Sequence, residues 1–148
     1  SRVAHQFSEK NRWQFMRQRP IEVREIAPRD FFDPPPTSDV NHLWFRMPAA
    51  SVSNMKLQQC ILAYASDLNL LGSALRPHGI SFFQKKIMTA SLDHAMWFHR
   101  PVNLENWLLY SIDSPVTSKA RGYTRGLLYS RDGKLVASTI QEGLIRLH

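Results

Sequence analysis

The sequence has a single cysteine, Cys60, in 148 residues. An internal disulfide needs two thiols, so this chain cannot contain one, and a lone cysteine cannot form a metal cluster by itself. One unpaired thiol fits a reducing compartment. We therefore expect an intracellular protein.

Long apolar runs are also missing. No stretch approaches the roughly 20 consecutive apolar residues that a membrane-spanning helix needs, and the first residues show no signal-peptide pattern. No internal repeat, helix-turn-helix, zinc-finger or RNP-type pattern is visible in the sequence. We therefore expect neither a membrane nor a nucleic acid as partner.

The composition is that of an ordinary globular domain, with 43% apolar and 21% charged residues. Lys and Arg number 19 against 12 Asp and Glu, which gives a formal charge of +7. Such an excess favours an anionic partner, although a plain solvated basic surface explains it equally well. The first residue is Ser1, which indicates a fragment or a processed product.

The apolar patterns divide the chain into an arm and one domain. Residues 1–20 are polar and basic and are predicted to form a linker or arm, followed by a domain over 21–148. Ser53 or Asn54 is expected to cap a buried helix over 55–71, closed by Gly72. Loops are predicted over 28–39 and 76–83. The predicted strands are 21–27, 42–47, 87–100, 107–114, 117–130 and 134–148. This order predicts an α+β fold in which an antiparallel sheet wraps around one long central helix.

Two of the late strands have informative faces. In the last strand, the predicted core face carries Gln141, whose amide must form a hydrogen bond because burying it unpaired costs about 1–3 kcal/mol. In the preceding strand, small residues on one face let a helix approach the sheet closely. The opposite face carries Lys119, Arg121 and Arg125, which we call the basic stripe. It is either a phosphate-binding surface or an ordinary solvated face.

Three polar positions interrupt apolar surroundings. Asp67 lies late in the helix, where a carboxylate either bonds to nearby backbone or faces a cavity as a base. In the strand 87–100, period-two alternation puts Ser91 and Asp93 on one face. The same alternation puts His94 on the opposite, apolar face, where it is either a structural histidine or a functional one.

Several segments together resemble one known family. They are YASDLNLLGSAL, SLDHAMWFHRP, WLLYSIDSP, RGYTRG, DGKLVAS and QEGLIR. In this order and spacing, over roughly residues 40–148, the chain resembles the acyl-CoA thioesterase II family. The resemblance implies a hotdog fold, an antiparallel sheet curled around a central helix. Family members carry two hotdog domains in one chain, and this sequence resembles the C-terminal one.

The resemblance also implies a set of site residues. The family's Asp, Ser or Thr, and Gln fall on Asp67, Ser91 and Gln141, with Asp93 and His94 as supporting candidates beside the Ser. The implied reaction is hydrolysis of a fatty acyl-CoA to free acid and CoA. Asp67 would activate a water that Ser91 and Gln141 position. The resemblance implies neither a metal nor a cofactor.

The substrate and partners follow from the same resemblance. An apolar slot for the acyl chain is expected from Tyr64, Leu68, Leu71 and Phe83, and the basic stripe would suit the CoA phosphates. The expected protein partner is the N-terminal hotdog domain, or a homodimer that mimics it. A eukaryotic member would be peroxisomal, although this sequence ends in Arg-Leu-His rather than Ser-Lys-Leu, and otherwise cytoplasmic.

Two other functions stay open at this point. A hydratase acting on an enoyl-CoA would need an Asp/His pair, for which Asp93 and His94 are the adjacent candidates. Neighbours in a strand point to opposite faces, which weakens that interpretation. The other alternative is a non-catalytic module that binds acyl-CoA.

Overall fold

The structure is a computed structural model that describes residues 20–49, 54–84 and 87–147. Apart from Pro20, the predicted arm lies outside these ranges, and so does Ser53, one of the two predicted helix caps. The described strands are β1 Glu22–Glu25, β2 Asn41–Arg46, β3 Ile87–Ser91, β4 Ala95–Phe98, β5 Leu108–Ser118, β6 Arg121–Ser130 and β7 Leu135–Leu147. The described helices are α1 Met55–Leu70, α2 Gly72–Leu75 and a 3₁₀ turn, Arg76–His78.

All described strands join one antiparallel sheet in the order β1-β2-β5-β6-β7-β3, and β4 pairs with β7 beside β3. Within the described ranges α1 is the long helix, and its buried side packs on the curved sheet, which confirms the predicted arrangement. The core cluster draws on both layers. It contains Ile21, Leu43, Phe45, Leu62, Ala65, Leu70, Val102, Leu104, Leu108, Tyr110, Ile112, Leu128, Val136 and Ala137.

The first turn of α1 is capped as predicted. The Asn54 side chain accepts hydrogen bonds from the backbone N–H groups of Lys56 and Leu57, at 3.0 and 3.4 Å, which satisfies donors that lack a helical partner. The predicted stop at Gly72 is wrong. The chain stays in the right-handed helical region through Leu71 into α2, and Gly79, at φ +62°, ends the helical segment instead.

Only one side of α1 is covered. Ser66 and Leu62 are fully buried, whereas Tyr64 is 66% exposed and Leu57 and Leu68 are also exposed. The prediction of a helix buried on all sides is therefore wrong for the described residues. A single sheet layer can cover about half of a helix, and the rest of this apolar helix faces outward. None of the described helices is long and apolar enough to cross a membrane.

Two predicted strand boundaries shift. A break was expected between the predicted strands 107–114 and 117–130, but β5 continues through Pro115 to Ser118 with a register irregularity between Asp113 and Val116. A bulge accommodates proline, which has no N–H for the ladder. The hairpin turn lies at Lys119 and Ala120 instead, both with positive φ, as in a two-residue type I′ turn.

The predicted strand 87–100 is interrupted by a bulge over residues 92–94. Ser91 pairs with Gly143 and Ala95 with Ile140, so three residues on this strand oppose two on β7. The N–H groups of Leu92 and Asp93 both point to the carbonyl of Glu142. One extra residue shifts the alternation, so Ser91 and His94 face the same side of the sheet, contrary to the simple period-two prediction.

Glycines let the helical segment approach the sheet closely. A Cβ added to Gly143 of β7 would lie 2.5 Å from Leu71 Cδ1, and one added to Gly122 of β6 would lie 2.6 Å from Ala74 Cβ. Both distances are far shorter than a van der Waals contact. The predicted small-residue face of β6 therefore serves the expected purpose, with Gly122, Thr124 and Leu128 buried beneath the helices.

We expect Gly122→Ala to destabilise the fold by about 1–3 kcal/mol, the usual cost of overpacking a close contact. The added methyl would meet Ala74 Cβ, which cannot move without shifting α2. The matched control is Gly72→Ala, where the nearest atom, of Phe82, lies at an ordinary 3.4 Å. Urea unfolding measures both free energies, and equal stability of the two variants would contradict the packing argument.

Candidate active site

Asp67 lies in the last turn of α1, at the edge between the covered and the uncovered side of the helix. Its side chain is 48% exposed, so water and a ligand can reach the carboxylate. The Oδ1 atom accepts hydrogen bonds from two sheet residues, whereas none of the described residues donates to Oδ2. Oδ1 is thus held by the protein, and Oδ2 remains able to accept a proton or a hydrogen bond.

Gln141 supplies the shorter of those two bonds. Its side chain projects from the middle of β7 and has 0% exposure, and Nε2 donates to Asp67 Oδ1 at 2.6 Å. Its Oε1 is buried and has no hydrogen-bond partner among the described residues. The bond to Asp67 is the kind of hydrogen bond that a buried amide at position 141 was predicted to form.

Ser91 supplies the second bond from the end of β3, where its Oγ donates to Asp67 Oδ1 at 3.3 Å. The sequence prediction placed a water between Asp67 and Gln141 beside Ser91. In the structure the three side chains converge, but Gln141 and Ser91 contact the carboxylate directly. These two bonds hold Asp67 in one orientation.

His94 faces the same site because of the bulge. Its Nε2 lies 3.0 Å from Ser66 Oγ, and that hydroxyl can also donate to the Ala63 carbonyl at 2.8 Å. The tautomer of the imidazole determines which of these two atoms, Nε2 or the Ser66 hydroxyl, donates in this contact. Nδ1 is buried, has no hydrogen-bond partner among the described residues, and lies 4.0 Å from Asp67 Oδ1. The imidazole thus lies behind the carboxylate in a fixed orientation.

Beneath the site, Tyr110 ties the helix to the sheet. Its hydroxyl donates to the Ser66 carbonyl at 3.0 Å and lies 2.9 Å from Thr139 Oγ1. Burial raises the pKa of Tyr110, so the phenol stays protonated and remains a donor. These contacts fix the residue that precedes Asp67. Sequence reasoning missed Ser66 and Tyr110; Thr139 carried a signal, since it shares the core face of β7 with Gln141.

Asp93 has a different neighbourhood from Ser91 and His94. Its Oδ1 accepts the backbone N–H of Glu142 at 2.7 Å, which closes the bulge on the exposed side of the strand. Asp93 therefore contacts the backbone of β7 rather than Asp67. It shapes the segment that carries Ser91 and His94.

The four side chains predicted for the acyl slot fall in different places. Leu68 and Phe83 line one cavity, which lies beside the segment 29–31. Tyr64 is exposed on α1, and Leu71 is buried against Gly143. The structure does not bring all four together within the described residues.

Carboxylates on neighbouring strands neutralise part of the basic stripe. Arg121 lies 3.2 Å from Glu142, and Arg125 makes two contacts with Asp113, at 2.5 and 3.0 Å. That bidentate bond, followed by the charge of Asp113, raises the pKa of Arg125. Lys119 lies in the β5–β6 turn. In the described part of the chain, no group of three His, Cys, Asp or Glu residues is placed to bind a metal ion.

The chain is similar in sequence to proteins of known family. A family model described as acyl-CoA thioesterase matches residues 11–144. The chain is 39% identical to acyl-CoA thioesterase 2 of Haemophilus influenzae over 98% of its length, and covers 51% of that protein. It is 36% identical to human acyl-coenzyme A thioesterase 8 over 86% of its length, covering 40% of that protein. The chain thus spans about half the length of the relatives it matches.

The fold comparison agrees. The crystal structure of the acyl-CoA thioesterase II TesB2 from Mycobacterium marinum matches 91% of this chain with a TM-score of 0.75 and 40% identity, and the match covers 51% of that structure. A curled antiparallel sheet around one long helix, with a carboxylate presented at the helix edge, defines a hotdog-fold protein. Within that class, the chain belongs to the acyl-CoA thioesterase family.

We expect Asp93→Ala to loosen the bulge, because Glu142 loses the acceptor of its N–H. The expected cost is about 1 kcal/mol of stability for one exposed hydrogen bond. Amide hydrogen exchange of Glu142 should become faster. The control is Asp93→Asn, which keeps an acceptor oxygen and should exchange close to the wild-type rate. Equal exchange in the two variants would show that the side chain does not hold the bulge.

Proposed function

We propose that this chain hydrolyses fatty acyl-CoA thioesters by means of a water molecule that Asp67 activates. The observation that carries the proposal is the 2.6 Å hydrogen bond from the buried Gln141 amide to Asp67 Oδ1, which leaves Oδ2 open to solvent. The named relatives, acyl-CoA thioesterases from a bacterium and from a mammal, supply the substrate class. Both are about twice as long as this chain or longer.

The proposed chemistry uses the free oxygen of the carboxylate. Oδ2 of Asp67 takes a proton from water while the water oxygen bonds to the thioester carbonyl carbon. The tetrahedral intermediate then collapses, the carbon–sulphur bond breaks, and the proton passes from Asp67 to the departing sulphur. Gln141 and Ser91 act as positioning residues, since their bonds to Oδ1 fix the direction in which Oδ2 points.

Two contacts favour this reaction over the alternatives. A nucleophilic Ser91 would need an imidazole as its base, but Ser91 contacts a carboxylate and His94 Nε2 contacts Ser66. A hydratase built on Asp93 and His94 would need both side chains at one place. Asp93 instead accepts a backbone hydrogen bond from Glu142. Asp93 and His94 therefore support the site without forming its acid/base pair.

The CoA phosphates are assigned to the basic stripe of Lys119, Arg121 and Arg125. Support comes from the formal charge of +7 and from the two arginines held in place by Glu142 and Asp113. A guanidinium already fixed by a carboxylate loses less side-chain freedom when a phosphate adds to it. The acyl chain is assigned to the apolar surface of α1, where Tyr64 and Leu68 are exposed beside Asp67.

We expect Asp67→Asn to lower kcat for a fatty acyl-CoA by about 10²–10⁴-fold, the usual contribution of a general base. The amide keeps the size of the side chain but cannot accept the proton. Thiol release measured with a thiol-reactive dye gives the rate. The matched control is Asp132→Asn, which removes a carboxylate paired with Lys134 in the β6–β7 turn and should leave the rate unchanged.

The assay is run on this chain alone and on the same chain joined to a second hotdog domain. Thiol release by the wild type that Asp67→Asn does not reduce would contradict the assignment of the base. Tight binding of an acyl-CoA without thiol release in either form would identify a non-catalytic binding module. Loss of absorbance from an enoyl-CoA without thiol release would identify a hydratase.

The uncovered side of α1 supports a protein partner for the site. Leu57, Tyr64 and Leu68 are exposed on a helix that is apolar on both sides. A contiguous exposed apolar face of this kind marks an interaction surface. We propose that a second hotdog domain covers it, either the N-terminal domain of a longer chain or a second copy of this one.

Sedimentation of the isolated chain tests the second copy. We expect a concentration-dependent dimer that Leu57→Glu weakens, because burying a charge in an apolar interface is unfavourable. The control is Lys56→Glu, which places the same acidic side chain at an exposed neighbouring position that is already polar. A monomer at high protein concentration would exclude self-association and leave the N-terminal domain as the proposed partner.

A further inference from the structure

A cavity of about 380 Å³ lies between α1, α2 and the segment that follows β1. Its volume is at the lower end of the range for small-molecule sites, about 300–1,000 Å³. None of Asp67, Ser91 and Gln141 lines it. The lining residues are Glu25, Arg29, Asp30, Phe31, Asn41, Leu68, Asn69, Gly72, Arg76, Ser81, Phe82 and Phe83.

Arg76 is the most deeply buried charge in the lining, with 5% exposure. Its Nε donates to the Ser38 carbonyl at 3.1 Å and Nη1 donates to Asn41 Oδ1 at 3.3 Å. Both acceptors are neutral, and no described carboxylate forms a salt bridge with it. A buried guanidinium without a counter-ion creates a strong positive potential in its surroundings.

Arg29 adds a second positive charge. Its Nη2 makes one long hydrogen bond, 3.4 Å, to the Ile80 carbonyl, and Nη1 is buried without a hydrogen-bond partner among the described residues. Burial lowers the pKa of Arg29, the nearby charge of Arg76 lowers it further, and Glu25 opposes both effects. A charged donor that is buried and unpaired is costly, so a ligand acceptor that pairs with it gains free energy.

The two acidic residues in the lining offset only part of this positive electrostatic potential. Glu25 and Asp30 are exposed, so water screens their charges more than those of the buried arginine. The Asp30 carboxylate also accepts the backbone N–H groups of Phe32 and Asp33, at 2.7 and 2.9 Å. These bonds lower the pKa of Asp30 and occupy one of its oxygens. The interior of the cavity is therefore the positive part.

Four apolar side chains also line the cavity. Leu68, Phe82 and Phe83 line it together with Phe31, whose ring meets that of Phe83 edge to face with centroids 5.7 Å apart. Oriented polar groups at one end and apolar side chains at the other are typical of small-molecule sites. Such a cavity fits a ligand with one charged head and a short apolar body.

We propose that this cavity binds a small amphiphilic anion, with its oxyanion head on Arg29 and Arg76 and its apolar body against the phenylalanines. The head is a carboxylate or a phosphate, since either presents two oxygens to a guanidinium. The cavity shares Leu68 with the surface assigned to the acyl chain, but none of Asp67, Ser91 and Gln141 lines it.

Binding is measured by titration calorimetry with hexanoate, hexyl phosphate and hexanol. Saturable binding is expected for at least one of the two anions, at least ten-fold tighter than for hexanol, and their ratio separates a carboxylate head from a phosphate head. Arg29→Gln should weaken anion binding at least ten-fold. The matched control is Arg24→Gln, which removes the same charge from a side chain that stacks on Trp107, outside the cavity.

Gly72→Leu provides a second variant that keeps both arginines. A Cβ at Gly72 has room, and a longer side chain there would grow into the cavity past Phe82, so anion binding should be lost while Tm stays near the wild-type value. Binding of hexanol as tight as that of both anions would overturn the proposal. So would unchanged anion binding in folded Arg29→Gln and Gly72→Leu, or equal weakening in Arg24→Gln.

Discussion

The hydrogen bond between Gln141 and Asp67 joins α1 to strand β7, and the site depends on the close approach of the helical segment to the sheet. A 2.6 Å contact between a side chain of β7 and a side chain of α1 leaves no room for bulky residues between them. Leu71 packs directly on Gly143, and Ala74 lies over Gly122. Tyr110 adds a polar link from the sheet to the carbonyl of Ser66. Packing and hydrogen bonding therefore hold Asp67 at the same place.

Two kinds of polar environment lie along the helical segment, one at Asp67 in α1 and one at Arg76 in the 3₁₀ turn. At Asp67, the carboxylate is half exposed and is oriented by neutral donors, which suits proton transfer at a surface reached by water. At Arg76, the charge is buried and its hydrogen bonds go to neutral acceptors. The helix and the turn that follows it thus lie between the proposed site of hydrolysis and the proposed anion site.

Much of the fold could be predicted from the sequence, because alternation and capping are local signals. Asn54 was one of two predicted caps, and the buried face of β7, with Gln141 in its middle, follows from period-two alternation. The gap between the predicted strands 117–130 and 134–148 coincides with the turn that contains Gly133, at φ +81°. The convergence of Asp67, Ser91 and Gln141 followed from the family resemblance rather than from the pattern alone.

Three of the wrong predictions share a cause, which is that contacts between residues distant in sequence decide them. Gly72 is typical of a helix end, but the helical segment continues because Ala74 packs closely on Gly122 of β6. Ser114–Pro115 reads as a turn, yet β5 needs its length to pair with β6. The shift at residues 92–94 depends on β7, with which both halves of the strand pair. Because that shift arises from one extra residue, the direction of the His94 side chain depends on the number of residues between Ser91 and Ala95. Deleting one bulge residue other than His94 would turn the imidazole away from the helix, although the imidazole itself would be unchanged.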